Sequence, residues 1–410
     1  MSRKSKSARG LAPWVILVGA ALVCLIVGGG ILFRDATQNT PPLTNPPSAP
    51  ITAPAASNGA LTDLSRANVT QGAWYTVYFT KPLYPKNKAD RVGGVDAAIV
   101  ADFDRAQKTI DAAVFDIRLP SLVDALTRAA QRGVQVRVVT DYAANKDATD
   151  FTDAIAALES AGVHVVKDHR SALMHNKFAV LDGRLLWTGS MNYTPNGVYR
   201  NNNNMLRLDN AALIENYIQI FERLFQLRAQ EAPSKIIPNP RVTLDNGIVI
   251  ENYFSPNGGA QKAILDRLKA ATKSIRVIAF TFTDTTMANV LKAKHKEGLN
   301  VQALFETRNN SAIGAEYETL KRAGIDILAD GNCYTLHDKV IVIDDKTVIT
   351  GSYNFTSAAN KTNDENILII DDPALAKNYL AEFKRLYAQA QNPTQCGSAK
   401  ALDLETDTEQ

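Results

Sequence analysis

One pattern of residues occurs twice in this chain at a fixed offset, and it leaves few folds open. His175-Asn-Lys177 leads to Asp182 and, across six further residues, to Gly189-Ser190-Met-Asn192. His337-Asp-Lys339 leads to Asp344 and, again across six, to Gly351-Ser352-Tyr-Asn354. The offset is 162 throughout, and eight of the eighteen positions in the two windows are identical. Such a repeat makes the body of the chain two copies of one structural unit.

The copies extend upstream. Residues 110–115 are apolar apart from Asp111, and a helical stretch over 121–132, Gly133 and a strand over 134–139 follow. The second copy has the same order: strand 275–282, helix 286–297, Gly298, strand 301–305. Strands alternating with helices predict βαβ units. The expected fold is therefore α/β, with two similar lobes over 73–232 and 249–392, each a mostly parallel mixed sheet flanked by helices. A connector over 233–248, punctuated by Pro233, Pro238 and Pro240, joins them.

The remainder is uneven. Residues 11–33 carry no charge and follow Arg3, Lys4, Lys6 and Arg9. About 20 apolar residues span a bilayer core as a helix, and the basic flank favours the cytoplasmic side. Residues 1–34 thus predict a basic flank with a single-pass cell-membrane anchor, the N-terminus cytoplasmic and the body exported. A cleavable signal peptide is the competing reading, but its apolar core usually runs only about 7–15 residues. Residues 35–72 hold six prolines between Pro41 and Pro54 and read as an extended linker. Residues 393–410 read as a disordered tail.

Composition decides little else. Lys+Arg number 45 against Asp+Glu 42, a net charge of +3, too small to mark a nucleic-acid binder by bulk electrostatics. Three cysteines exclude a disulfide-stapled miniprotein; Cys333 and Cys396, outside the apolar run, can pair or remain thiols. No Cys/His zinc spacing and no H-E-x-x-H pair occurs among the five histidines, so no metal site and no cofactor is expected. Instead, His and Lys two residues apart at the start of an apolar strand point to one side. Each copy then offers an imidazole and an ammonium together at a sheet end, with hydroxyl, amide and backbone N–H groups from the Gly-Ser-x-Asn turn.

The signature His-x-Lys-x4-Asp-x6-Gly-Ser-x-Asn, present twice without substitution, resembles that of the phospholipase D superfamily. The resemblance implies a metal-independent phosphoric diester hydrolase whose single site draws on both motifs. His175 and His337 would act as nucleophile and general acid through a covalent phosphohistidine. Lys177, Lys339, Asn192 and Asn354 would bind the phosphate and stabilise its transition state, with Ser190 and Ser352 in contact with substrate. Asp182, Asp344, Gly189 and Gly351 are expected to be structural. Twenty-eight residues after His337 stands Glu365, and twenty-eight after His175 stands Asn203. By the resemblance each orients the imidazole of the opposite lobe, Glu365 that of His175 and Asn203 that of His337, which favours His175 as nucleophile. The leading expectation for substrate is phospholipid head groups, with contact to the membrane through 11–33. A membrane-anchored nuclease is the alternative, since the second half resembles small bacterial nucleases of the superfamily. Phosphatidyl transfer, as in cardiolipin synthases, is a third option, and a non-enzymatic scaffold is disfavoured by the intact motifs. With both motifs on one chain, a monomer suffices for a complete site.

Overall fold

The apolar runs of the sequence become strands of two eight-stranded mixed sheets, one from each half of the chain. The computed structural model describes residues 62–82, 88–226 and 237–393. These all fall within one compact unit, Ala60–Gln410. The expected membrane anchor, most of the linker and nearly all of the tail lie outside the described residues. Among the described residues no helix is long and apolar enough to cross a membrane.

The first half runs β1 (Ala67–Gln71), β2 (Tyr75–Thr80), α1 (Val95–Arg105), β3 (Thr109–Val114), α2 (Pro120–Gln131), β4 (Gln135–Asp141), α3 (Tyr142–Asn145) and α4 (Thr149–Ser160). It continues through β5 (His164–Asp168), β6 (Lys177–Leu181), β7 (Leu185–Gly189), α5 (Pro195–Tyr199), β8 (Asn204–Leu208) and α6 (Ala211–Phe225). The second half runs β9 (Arg241–Thr243), β10 (Val249–Ser255), α7 (Ala260–Ala270), β11 (Ser274–Ala279), α8 (Thr285–Lys296), β12 (Asn300–Phe305) and α9 (Tyr317–Arg322). Then come β13 (Asp326–Ala329), β14 (Lys339–Ile343), β15 (Thr347–Gly351), α10 (Ser357–Lys361), β16 (Glu365–Asp371) and α11 (Pro373–Gln391). Strand order is β1-β2-β8-β7-β6-β3-β4-β5 in one sheet and β13-β12-β11-β14-β15-β16-β10-β9 in the other.

The sheets are not mostly parallel, as the sequence had suggested. In the first, only β3–β4 and β4–β5 pair in parallel, and the other five neighbours are antiparallel. The second repeats this division. The parallel neighbours are joined through helices, α2 between β3 and β4 and α3 with α4 between β4 and β5, whereas β6 and β7 are linked by the three residues 182–184, a hairpin connection that forces antiparallel pairing. The unbroken apolar run of β6 reflects cover on both faces. Phe178 and Val180 enter one core cluster while Ala179 and Leu181 enter another. Two boundaries also move. β1 lies inside the stretch read as linker, and β9 inside the stretch read as connector, because each hydrogen-bonds as an edge strand onto its neighbour.

α6 and α11 belong to a shared central core that takes residues from both sheets. Tyr217 of α6 meets Phe254 of β10 edge to face at 5.1 Å, and Tyr379 of α11 meets Phe79 of β2 in the same manner at 5.0 Å. α1, α2 and α4 cover the outer face of the first sheet, and α7, α8 and α9 that of the second. Cys333 is buried and disulfide-bonded.

Polar side chains cross the central interface in two matching sets. Asn366 accepts from Thr188 Oγ1 (3.0 Å) and Tyr217 Oη (3.1 Å), and donates to Asn176 Oδ1 (2.8 Å). Asn204 accepts from Thr350 Oγ1 (2.9 Å) and Tyr379 Oη (3.0 Å), and donates to Asp338 Oδ1 (2.6 Å). The sets differ where Asn176 is matched by Asp338. Burial pushes the Asp338 carboxyl up to about 7, with Glu382 adding to the rise and Asn204, Lys339 and Arg385 opposing it. The folded state therefore holds a proton on Asp338 at pH values where the unfolded chain has lost it. This stabilising contribution is complete below the unfolded pKa, near 4, and is lost as pH rises through about 7. Asp338→Asn, which copies the first half, is expected to match the wild type near pH 4 in urea unfolding. By pH 8 it should exceed it by on the order of 3 kcal/mol.

A tighter local role falls to the aspartates of the repeat. Asp182 and Asp344 both adopt positive φ, 52° and 54°, at the hairpin turns after β6 and β14. Asp182 accepts from the backbone N–H groups of Gln107, Lys108 and Thr109, and Asp344 from those of Thr272, Lys273 and Ser274. Partial burial of each carboxylate is outweighed by these bonds, so the pKa of each is lowered. Asp182→Ala should cost about 2 kcal/mol of stability at pH 7. Because a lowered folded pKa gives stability only above the unfolded value, that cost should shrink as denaturation is followed below about pH 4.

Candidate active site

β6 and β14 are inner strands, and the residues leading into them run against the other half of the molecule. Met174 forms an isolated parallel bridge with Asp364, and Leu336 one with Asn202. His175 N donates to Asp364 O (3.0 Å), and His337 N to Asn202 O (2.9 Å). Each histidine is thus fixed by a backbone bond to the residue just before Glu365 or Asn203. Both imidazoles are buried at this junction.

The ring contacts cross in the same way. His175 Nδ1 lies 2.8 Å from Glu365 Oε2, and His337 Nδ1 lies 2.8 Å from Asn203 Oδ1. Both partner atoms are acceptors, so each ring is assigned its hydrogen on Nδ1, which leaves the Nε2 side for chemistry. Asn203 is set in this orientation by its amide nitrogen, which donates to Gly197 O (2.9 Å). Phe115 packs against His175 with centroids 5.2 Å apart, and Phe280 against His337 at 4.9 Å.

Lys177 and Lys339 are as buried as the histidines. Each Nζ donates to the carbonyl of its own motif histidine at 2.8 Å and lies over a phenyl ring, Phe115 at 4.9 Å or Phe280 at 4.8 Å. Lys339 Nζ is also 2.8 Å from His337 Nε2. Each lysine therefore brings an ammonium beside an imidazole, where an anion can meet both.

Ser190 and Ser352 differ from their expected place in contact with substrate. Ser352 Oγ donates to Glu365 Oε2 (2.6 Å) and accepts from Asn366 N, while Ser190 Oγ donates to Asn203 Oδ1 (2.8 Å) and accepts from Asn204 N. Both hydroxyls are fully buried behind the groups that orient the histidines, and their only hydrogens are committed there. Gly189 and Gly351 explain themselves sterically. A Cβ at either would stand 2.2 Å from a carbonyl oxygen, of Asn204 or Asn366, so β7 and β15 need glycine to lie against β8 and β16. Asn192 and Asn354 sit on the turns just beyond them, and Asn354 Oδ1 makes no hydrogen bond to protein. Trp187, Tyr193, Tyr199 and Phe355 are buried in the outer cores.

The side chains that the motif did not reveal are the supports: Phe115 and Phe280, Thr188 and Thr350, Asn204 and Asn366, Tyr217 and Tyr379. The signal for them was present. The last three pairs are identical residues 162 apart: Thr188 and Thr350 stand inside the repeated window, and following the repeat past it would have picked out the other two pairs.

Comparison with known proteins agrees with this geometry. A family model described as the PLD-like domain of cardiolipin synthase matches twice, at residues 99–225 and 264–387, which together exceed half of the chain. A phospholipase D of Rickettsia conorii is 37% identical over 134 residues, 33% of this chain and 67% of that one. A mitochondrial cardiolipin hydrolase of Xenopus tropicalis is 42% identical over 122 residues, 30% of this chain and 57% of that one. The crystal structure of a phosphatidylserine synthase from Haemophilus influenzae has a TM-score of 0.59 at 13% identity, over 82% of this chain and 93% of that one, a likeness of fold. With two family domains and both of their histidine–lysine motifs closed on one another, the chain belongs to the phospholipase D superfamily and is a phosphodiesterase of that kind.

Proposed function

We propose that the protein hydrolyses phospholipid head groups through a covalent phosphohistidine, with His175 as nucleophile and His337 as general acid and then general base. The observation that carries this assignment is the unequal backing of two otherwise matching rings: a carboxylate at His175, an amide at His337. When Nε2 of an imidazole forms a bond to phosphorus, the ring becomes cationic. Glu365 stabilises that charge directly, whereas Asn203 cannot. The same cation is unwanted on a group that must give its proton away, and a neutral partner suits that role.

The steps follow from the contacts. The phosphodiester binds between Lys177 and Lys339, with Asn192 and Asn354 on its oxygens. Lys339 Nζ turns from His337 Nε2 to the phosphate, and that nitrogen takes up a proton from solvent as the anion binds, the proton it then carries for the departing alkoxide. His175 Nε2 attacks phosphorus, the P–O bond to the head group breaks, and His337 delivers its proton to the leaving oxygen. Water, deprotonated by His337, then attacks the phosphohistidine, and His175 is released with its Nδ1–H still on Glu365. Ser352 and Ser190 act as positioning residues, since each holds the partner of an imidazole and not the ring itself.

Phospholipid as substrate is supported by the likeness to the Rickettsia phospholipase D and the Xenopus cardiolipin hydrolase and by the uncharged segment 11–33. The test uses the full chain in chelator-treated buffer, offered phosphatidylcholine, cardiolipin and plasmid DNA in parallel. Head-group release is expected, and nicked DNA beside intact lipid would replace this reading with the nuclease one. Acidic handling is avoided in the trapping experiment, because phosphohistidine is labile to acid. Rapid quench at alkaline pH should place the phosphate on the peptide containing His175, and label on the His337 peptide would reverse the assignment. His175→Ala and His337→Ala should each lose about 10²–10⁴ in kcat or more. Glu365→Gln should lower kcat far more than Asn203→Asp changes it, since only the former removes charge from the nucleophile's partner.

A further inference from the structure

Behind the second sheet, at the end of β14 remote from His337 and Lys339, the repeat breaks in a way that leaves charge exposed. The strand register equates Asp111 of β3 with Arg276 of β11, since each faces a residue 162 apart on the next strand, Val180 or Val342. The same register equates Arg137 of β4 with Gln302 of β12. On the covering helices, Phe221, Glu222 and Phe225 of α6 stand 162 residues before Phe383, Lys384 and Tyr387 of α11. The two places are therefore the same corner of the fold, built twice.

In the first half the corner is closed by its own charges. Arg137 binds Asp111 through both carboxylate oxygens (2.7 and 2.8 Å) and reaches Glu222 (2.6 Å). Its guanidinium lies over Phe221 and Phe225 at 4.9 and 5.0 Å. In the second half both acids have become bases, and the arginine that joined them has become glutamine. A cavity of about 490 Å³ opens there, with Arg276, Gln302, Asp345, Phe383, Lys384 and Tyr387 in its lining. The rings of Phe383 and Tyr387 remain stacked, 5.5 Å apart, as a shelf.

The cations of this corner lack the acids that Arg137 has in the first half. Arg276 spends Nη1 on the carbonyls of Asn300 (2.7 Å) and Ile275 (3.2 Å), and among the described residues neither its Nε nor its Nη2 makes a hydrogen bond. Lys384 forms no ion pair among the described residues. The nearby carboxylates are engaged elsewhere, Asp345 with Lys273 (2.7 Å) and Asp326 with Gln302 (2.5 Å) and the Tyr387 hydroxyl. Burial lowers the pKa of Arg276 in spite of Asp345, Asp326 and Tyr387, the sign of a cation short of anions.

We propose that this cavity binds a phosphate monoester group, gripped by the Nε–Nη2 edge of Arg276 and by Lys384, with its organic part on the Phe383–Tyr387 shelf. The guanidinium edge is a two-donor fork that matches two oxygens of one phosphate. Two cations balance the charge of a phosphate monoester, about −1.5 to −2 at pH 7, where a carboxylate or a diester would leave one in excess. The site is separate from the reacting centre. Arg276 pairs with Val342, toward the end of β14 remote from Lys339, and Asp345 lies beyond that end.

The test is equilibrium dialysis of labelled inorganic phosphate against the full chain, beside the double variant Arg276→Gln with Lys384→Gln. Wild type should bind at two sites, the catalytic cleft and the cavity. The double variant should keep one, weaken the other at least tenfold and retain its turnover. An equal number of sites in both proteins would overturn the proposal, as would a variant that loses cleft binding and turnover together. A triple variant, Arg276→Asp, Gln302→Arg and Lys384→Glu, carries the residues of the first half. It should close the corner, with the same single site and a melting temperature no lower than wild type. Displacement of the cavity-bound label by glycerol 3-phosphate alone would identify a soluble monoester as the ligand. Displacement at lower concentration by phosphatidic acid in mixed micelles would identify a lipid one, and displacement by neither would overturn the proposal.

Discussion

Each imidazole takes its Nδ1 partner from the other half of the chain, and the rest of the structure serves that exchange. Glu365 can reach His175, and Asn203 His337, only while the two sheets are held face to face to within a few tenths of an ångström. The shared core around α6 and α11 supplies the adhesion, through large apolar side chains that belong to neither sheet alone. Directional precision comes from the asparagines one position further on. Asn204 and Asn366 are each held by a threonine and a tyrosine and each bind the residue between the motif's histidine and lysine. Buried polar groups of this kind cost free energy unless fully paired, so their pairing selects one relative placement of the halves. The neighbours of the asparagines inherit that placement.

Duplication gave two equal scaffolds, and small departures from equality give them different work. Glu365 against Asn203 makes one ring fit to carry positive charge. Asp338 against Asn176 puts a carboxyl of raised pKa into the interface beside the other ring. At the back of the sheets, three charge-changing replacements turn a closed ion-pair cluster into an open basic cavity. In all three places the backbone is the same, so the difference rests on side-chain charge alone.

Much of the site was legible because its residues are local in sequence. His, Lys, Asp, Gly, Ser and Asn fall within eighteen positions, and their recurrence names them together. Glu365 and Asn203 could be paired with their histidines only through resemblance, since nothing in one strand says what faces it across an interface. The serines were misplaced for the same reason: a hydroxyl next to a motif asparagine gives no hint of which way it turns, and it turns inward to the orienting groups. Strand direction was also hidden. A buried strand reads as an apolar run whether its neighbours are parallel or antiparallel, and here short hairpins made most of them antiparallel.

By itself the sequence determined that the chain is a duplicated α/β body with two histidine–lysine motifs suited to a phosphodiester, because repeat spacing and residue chemistry are properties of the chain in order. The tertiary structure decided which imidazole receives a carboxylate, where the serine hydroxyls point and which arginine is left without an acid. The first depends on contacts between residues 134 and 190 positions apart, formed only when the two sheets close over a common core; the other two depend on how side chains 13 to 85 positions apart meet once the strands and helices are packed.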